Sequence, residues 1–83
     1  NAAIELANDS SFGLGGIVFG SDVEQATEVA RQIESGMVYV NGQAETAPDL
    51  PFGGVKRSGV GRELGPWGMR EFANIKLVHT PKA

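Results

Sequence analysis

The 83-residue sequence contains no cysteine. That excludes a disulfide framework, a thiol nucleophile and any thiolate metal site from this stretch. Histidine occurs once, as His79, and metal ligation would need further imidazoles or thiolates within reach. No Ser or Cys nucleophile context surrounds His79, so it reads as a strand residue and not as a catalytic base. An excess of positive charge is lacking too: seven Lys and Arg stand against ten Asp and Glu, a formal net charge of −3. A duplex-binding module presents a basic face, so nucleic acid is not an expected partner. Long apolar runs are missing as well. The longest mostly apolar stretch, Ser10 to Gly20, is interrupted by Gly13, Gly15 and Gly16, and falls short of the roughly 18 residues that span a bilayer. No signal-peptide pattern opens the chain and nothing argues for secretion, so a cytoplasmic location is the expectation. A chain of this length makes one small domain at most, or a piece of a larger one.

What is present is an alternation of helix and strand. Ala2-Ala3-Ile4-Glu5-Leu6-Ala7 forms helix readily but has no capping residue ahead of it, as expected of a sequence that begins inside a helix. Asn8-Asp9-Ser10-Ser11 breaks that helix through short side chains that bond to nearby backbone. Ile17-Val18-Phe19 does not alternate with polar residues, which predicts a short strand covered on both faces. Ser21 is placed to cap a helix, and Glu24 three residues on completes a capping box. Val23, Ala26, Ala30 and Ile33 give an apolar stripe, while Glu24, Gln25, Glu28, Arg31 and Gln32 face water, with Glu28 and Arg31 paired. Gly36 stops a helix of about fourteen residues. Met37-Val38-Tyr39-Val40 is a second strand, ended by Asn41-Gly42. Strand, helix and strand make a βαβ unit with parallel neighbours.

Residues 42–58 show no periodicity and carry Pro48, Pro51, Gly53 and Gly54. Loops of this length in a compact domain commonly serve a function. Helix resumes near Arg62-Glu63-Leu64 and is regular over 66–73, with Pro66 near its first turn. Residues 74–80 alternate, with Ile75, Leu77 and His79 on one face, and form a terminal edge strand that invites pairing with another subunit.

The glycine-rich run from Pro51 to Glu63 invites a phosphate-loop reading, but no Lys-Ser/Thr follows Gly59 or Gly61. A dinucleotide fingerprint needs G-x-G-x-x-G directly after a strand. Here Leu64 occupies the third glycine's place and no strand is expected before Gly59. These glycines serve close backbone approach in a packed, irregular loop, which suits an active-site wall equally well. Tyr39, Trp67 and Phe72 read as core or interface aromatics and not as a stacking platform. Asp49 and the glutamates have no recognisable catalytic partner. Phe52, between Pro51 and Gly53-Gly54, is held stiffly. It projects into a pocket or packs as an ordinary aromatic, and composition alone leaves both open.

The segment Pro51-Phe52-Gly53-Gly54-Val55-Lys56-Arg57-Ser58-Gly59-Val60-Gly61-Arg62-Glu63-Leu64-Gly65 strongly resembles the C-terminal signature of the aldehyde dehydrogenase superfamily. Asn8-Asp9-Ser10, Gly13-Leu14-Gly15-Gly16, Val18-Phe19, Ser35 to Asn41 and Glu71 to Lys76 fall where that family has them, so the resemblance covers essentially the whole chain. In detail it looks most like the succinate-semialdehyde dehydrogenase branch.

The resemblance implies an α/β fold: the C-terminal part of a catalytic domain over residues 1–73 (βαβ unit, long active-site loop, helix), then an oligomerisation strand and tail over 74–83. It implies an NAD(P)-dependent oxidoreductase that converts an aldehyde to a carboxylic acid through a cysteine thiolate, a thiohemiacetal, hydride transfer to NAD or NADP, and hydrolysis assisted by a glutamate. The cysteine, that glutamate, the oxyanion asparagine and the nucleotide-binding domain lie upstream of this region in the family. No catalytic, cofactor-binding or metal-binding residue is therefore expected in this chain, which would be inactive alone. Carried over position by position, Phe52 lines the substrate tunnel and Thr46 helps hold the far carboxylate, although it is Thr where the branch often has Ser. Arg62 is structural, near a subunit interface. Ile75 and Leu77 belong to the strand that joins a neighbouring subunit in a homo-oligomer, dimer or tetramer. The small aldehyde substrate would be the other partner. An alternative reading is a free-standing, non-catalytic α/β module that associates through its terminal edge strand.

Overall fold

The computed structural model describes residues 1–43 and 45–82; of the expected loop and tail, only Ala44 and Ala83 lie outside. The elements are α1 (Ala2–Asn8), β1 (Phe12–Gly13), β2 (Gly15–Val18), α2 (Val23–Arg31), β3 (Met37–Val40), β4 (Val55–Lys56) and α3 (Gly65–Glu71). The βαβ unit is formed as its pattern required. β2 and β3 run parallel, with Ile17 opposite Tyr39 and Val18 opposite Val40, and α2 crosses over to pack on both strands.

Ala26, on the inner side of α2, is 4% exposed and is the one buried hydrophobic residue among those described. The small side chain lets the helix lie close to the sheet. The opposite face of β2 is not covered, since Ile17 is 46% exposed. The expectation of a strand covered on both faces therefore does not hold within this chain. The strand also begins earlier than its apolar run and leaves out Phe19, because ladder pairing starts at Gly15 opposite Met37.

Helix α2 is nine residues long, shorter than its apolar stripe suggested. Its cap is Asp22 and not Ser21: the Asp22 carboxylate accepts from the Gln25 N–H at 3.2 Å. A carboxylate one residue closer to the first turn reaches the orphan donors that the hydroxyl of Ser21 would have served. Glu28 and Arg31 pair at 3.5 Å, both exposed, which is worth a few tenths of a kcal/mol (~0.3). Gly36 does not end the helix, which stops at Arg31. Its role is a close approach described below.

A second small sheet was not legible in the periodicity. β1 and β4 pair antiparallel, Phe12 with Lys56 and Gly13 with Val55, and fold the glycine-rich segment back onto the βαβ unit. A two-residue strand therefore does precede Gly59. α3 carries Pro66 in its first turn, as expected, and starts from Leu64 at φ +69°. Residues 74–80 make no strand in the single chain. A strand needs a ladder partner, and residues 74–80 are exposed along their whole length.

Candidate functional site: a clamped glycine-rich wall

Phe52 sits on a small backbone clamp. Its N–H donates to the Glu63 carbonyl at 2.9 Å, and the Glu63 N–H donates back at 2.8 Å, an isolated antiparallel bridge. The chain between the two residues closes into a loop. Arg62 fastens it from inside: Nη1 donates to the carbonyls of Gly54 at 2.8 Å and Gly61 at 2.7 Å. Both bonds come from the one half-buried nitrogen, which ties the two ends of the loop together through its backbone carbonyls. Phe52 is half-buried and borders an open cleft of about 420 Å³ with Gly53, Gly54, Ser58, Arg62 and Glu71.

The wall is pressed against the βαβ unit at Gly36 and folded tightly on itself at Gly53. A Cβ on Gly36 would overlap the Gly53 carbonyl, and a Cβ on Gly53 would stand 2.5 Å from the Gly61 carbonyl. Both are backbone contacts that no rotamer change relieves. On the far side of the loop, the Ser58 hydroxyl accepts from the Gly13 N–H at 2.8 Å and ties it to β1.

Lys56 joins three segments. Held at φ +56°, it sends its ammonium to the carbonyls of Asn8 at 3.0 Å and Ser10 at 3.1 Å, and pairs with Glu34 at 2.6 Å. Asn8 closes the network: its amide donates to the Gln32 carbonyl and its oxygen accepts from the Glu34 N–H, both at 2.8 Å. The cation sits among carbonyls where α1 ends, a favourable position for positive charge, and shares the Asn8 carbonyl with the Ser10 N–H. The Arg57 guanidinium lies 5.9 Å from the centre of the Phe12 ring, within cation–π range.

The structure brings Phe52 and Arg62 together and leaves Thr46 apart. Thr46 is exposed in the loop between β3 and Pro51 and does not border the cleft. That loop is nonetheless fastened. The Tyr39 hydroxyl donates to the Glu45 carbonyl at 2.9 Å, Leu50 N–H to Ala47 at 3.2 Å, and Gly65 N–H to Pro48 at 2.9 Å. Ile75 and Leu77 are 92% and 88% exposed, and Phe72 is 94% exposed, so Phe72 is no core aromatic in this chain. Sequence reasoning missed Tyr39 and Lys56 as organisers. Tyr39 offered a faint signal, a hydroxyl at a strand end beside an irregular loop, whereas Lys56 and Asn8 are too far apart in sequence to suggest their meeting.

The glycine-rich loop is folded back on itself by its own backbone. Two of its amides are used within the loop itself, the Gly59 N–H on the Lys56 carbonyl and the Glu63 N–H on the Phe52 carbonyl. No three acidic or imidazole side chains gather as metal ligands among the described residues, and no described helix is long and apolar enough to cross a membrane.

A βαβ unit backed by a clamped, glycine-rich aromatic wall, with one sheet face bare, defines a segment of a larger α/β architecture. Residues 1–78 match the aldehyde dehydrogenase family, and the chain belongs to that family. It is 58% identical over 76 residues to succinate-semialdehyde dehydrogenase [NADP(+)] of Deinococcus radiodurans, covering 92% of this chain and 16% of that protein. Its fold superposes on succinic semialdehyde dehydrogenase from Streptococcus pyogenes in complex with NADP+ with a TM-score of 0.92 and 49% identity, over 98% of this chain and 18% of that one. Betaine aldehyde dehydrogenase from Staphylococcus aureus in complex with NAD+ gives a TM-score of 0.82 and 46% identity, over 84% and 14%. The chain thus spans only about a sixth of the relatives it matches.

Proposed function

We propose that the chain supplies one wall of the substrate tunnel, and an oligomer contact, in an NAD(P)-dependent aldehyde dehydrogenase that oxidises succinate semialdehyde to the dicarboxylic acid. The observation that carries the reading is the clamp on Phe52. A stiffly held aromatic bordering an open cleft suits an apolar tunnel wall, where a rigid ring orients a small aldehyde and excludes water. Thr46, which stands outside the Phe52 cleft, supplies a hydroxyl toward the far carboxylate by its place ahead of the Pro51-Phe52-Gly53-Gly54 motif. Arg62 holds the loop closed behind Phe52. The thiol nucleophile, the base and the NAD or NADP site belong to other residues of the enzyme, and the cofactor, when bound there, accepts the hydride. This chain contributes orientation and enclosure.

Residues 1–73 act as the C-terminal portion of the catalytic domain and 74–83 as the oligomerisation strand and tail. The apolar, extended tail suits addition to a neighbouring subunit's sheet, in a dimer or a tetramer. A cytoplasmic site of action belongs to the same proposal. The free-standing-module alternative is disfavoured because Ala26 is the one buried apolar side chain among the described residues.

Phe52→Ala in the full-length enzyme tests the wall directly. kcat/KM for succinate semialdehyde is expected to fall by about tenfold or more, with a melting temperature lowered by only a few degrees. Unchanged kinetic constants would remove Phe52 from the tunnel.

A further inference from the structure

The loop that carries Thr46 has no regular structure, yet Thr46 stands between two fastened carbonyls. On its C-terminal side, Pro48 accepts from the Gly65 N–H at 2.9 Å, a backbone tie to the start of α3. On its N-terminal side, the Glu45 carbonyl accepts from the Tyr39 hydroxyl at 2.9 Å. The second tie is a single side-chain oxygen reaching out from β3, the second strand of the βαβ unit. The Tyr39 ring is half-buried and its backbone is locked in the parallel ladder opposite Ile17, so the hydroxyl is presented from a rigid base. The Met37 sulfur lies 3.8 Å from the same oxygen, but the hydroxyl's single proton goes to the nearer and stronger acceptor, the Glu45 carbonyl.

From this geometry we infer that Tyr39 is a positioning residue for Thr46 and thereby sets the preference for aldehydes that carry a distal carboxylate. The inference rests on the reading of Thr46 given above. Tyr39 touches no reacting atom. It fixes the peptide unit that leads into Thr46, so the Thr46 hydroxyl meets the carboxylate without first having to order the loop. An ordering cost that falls on one substrate alone appears in that substrate's KM and not in turnover.

The test uses the full-length enzyme with two aldehydes of equal chain length, succinate semialdehyde and butanal. Tyr39→Phe removes the hydroxyl and keeps the ring. It is expected to raise KM for succinate semialdehyde about fivefold, leaving KM for butanal and kcat for both within about twofold of the parent. Thr46→Ala is expected to raise the same KM by a similar or larger factor, and Thr46→Ser to restore most of it. The double variant Tyr39→Phe/Thr46→Ala is expected to be no worse than Thr46→Ala alone, because the tie acts only through Thr46. If Thr46→Ala is selective and Tyr39→Phe is silent, the positioning role is wrong while the reading of Thr46 stands. A Tyr39→Phe variant that weakens both aldehydes equally and lowers kcat is a structural effect and also overturns it. A silent Thr46→Ala overturns both, and leaves the tunnel role of Phe52 to its own experiment.

Discussion

A methyl group on Gly36 would overlap the carbonyl of Gly53, and neither partner has a side chain that can swing away. The separation is set by β3 on one side and by the Phe52–Glu63 bridge on the other. Gly36→Ala is therefore expected to destabilise the full-length enzyme by about 2–3 kcal/mol and to disorder the Phe52 wall. A lowered midpoint in urea unfolding, together with reduced kcat/KM, would show it; an unchanged midpoint would mean that the approach is looser than described. The sequence marked Gly36 as special for the wrong reason, a helix stop. Its constraint is a contact with a loop that begins beyond residue 50, which no local pattern carries. Asn41 was legible as a strand end because small polar residues break strands. Its φ of +55° and its paired hydrogen bonds to the Gly20 N–H and carbonyl were not. Phe52 and Arg62 came from the motif, and the clamp that relates them came only from the fold.

Elements with strong local signals stood where the residues put them. β3 covers Met37–Val40 as read, because a run of β-favouring residues between Gly36 and Asn41-Gly42 admits little else. α2 was found but shortened, since Asp22 caps it and its last turn gives way after Arg31. β1 and β4 were invisible: two residues each, carrying glycine and charge, they are made by pairing across the chain and not by propensity. The tail shows the reverse case. Residues 74–80 alternate as a strand should and yet are not one here, because the ladder that would define them requires another polypeptide edge. If that edge belongs to a second subunit, Leu77→Lys in the full-length enzyme is expected to lower the mass of the assembly measured by light scattering. An unchanged mass would place the subunit contact elsewhere.

At the scale of the molecule, the described fold is one side of a structure. Its accessible surface is 6754 Å², whereas a folded monomer of this mass would expose about 4,700 Å². Its radius of gyration is 17.1 Å against about 12 Å for a compact domain of this length, and its long dimension is 60 Å. The excess surface, on the order of 2,000 Å², is comparable to a large, obligate interface. Much of it is apolar, including Phe12, Ile17 and Phe19 along the β1–β2 segment and Ile75 and Leu77 in the tail. With Ala26 as its one buried hydrophobic residue among those described, the chain has too little apolar burial to offset its conformational entropy. The most direct test is calorimetry and sedimentation of the 83-residue polypeptide by itself across a range of concentrations. A broad transition without a clear heat-absorption peak, accompanied by self-association, is the expected result. A monomer with a sharp, concentration-independent melt would contradict the account and show that these residues form a domain in their own right.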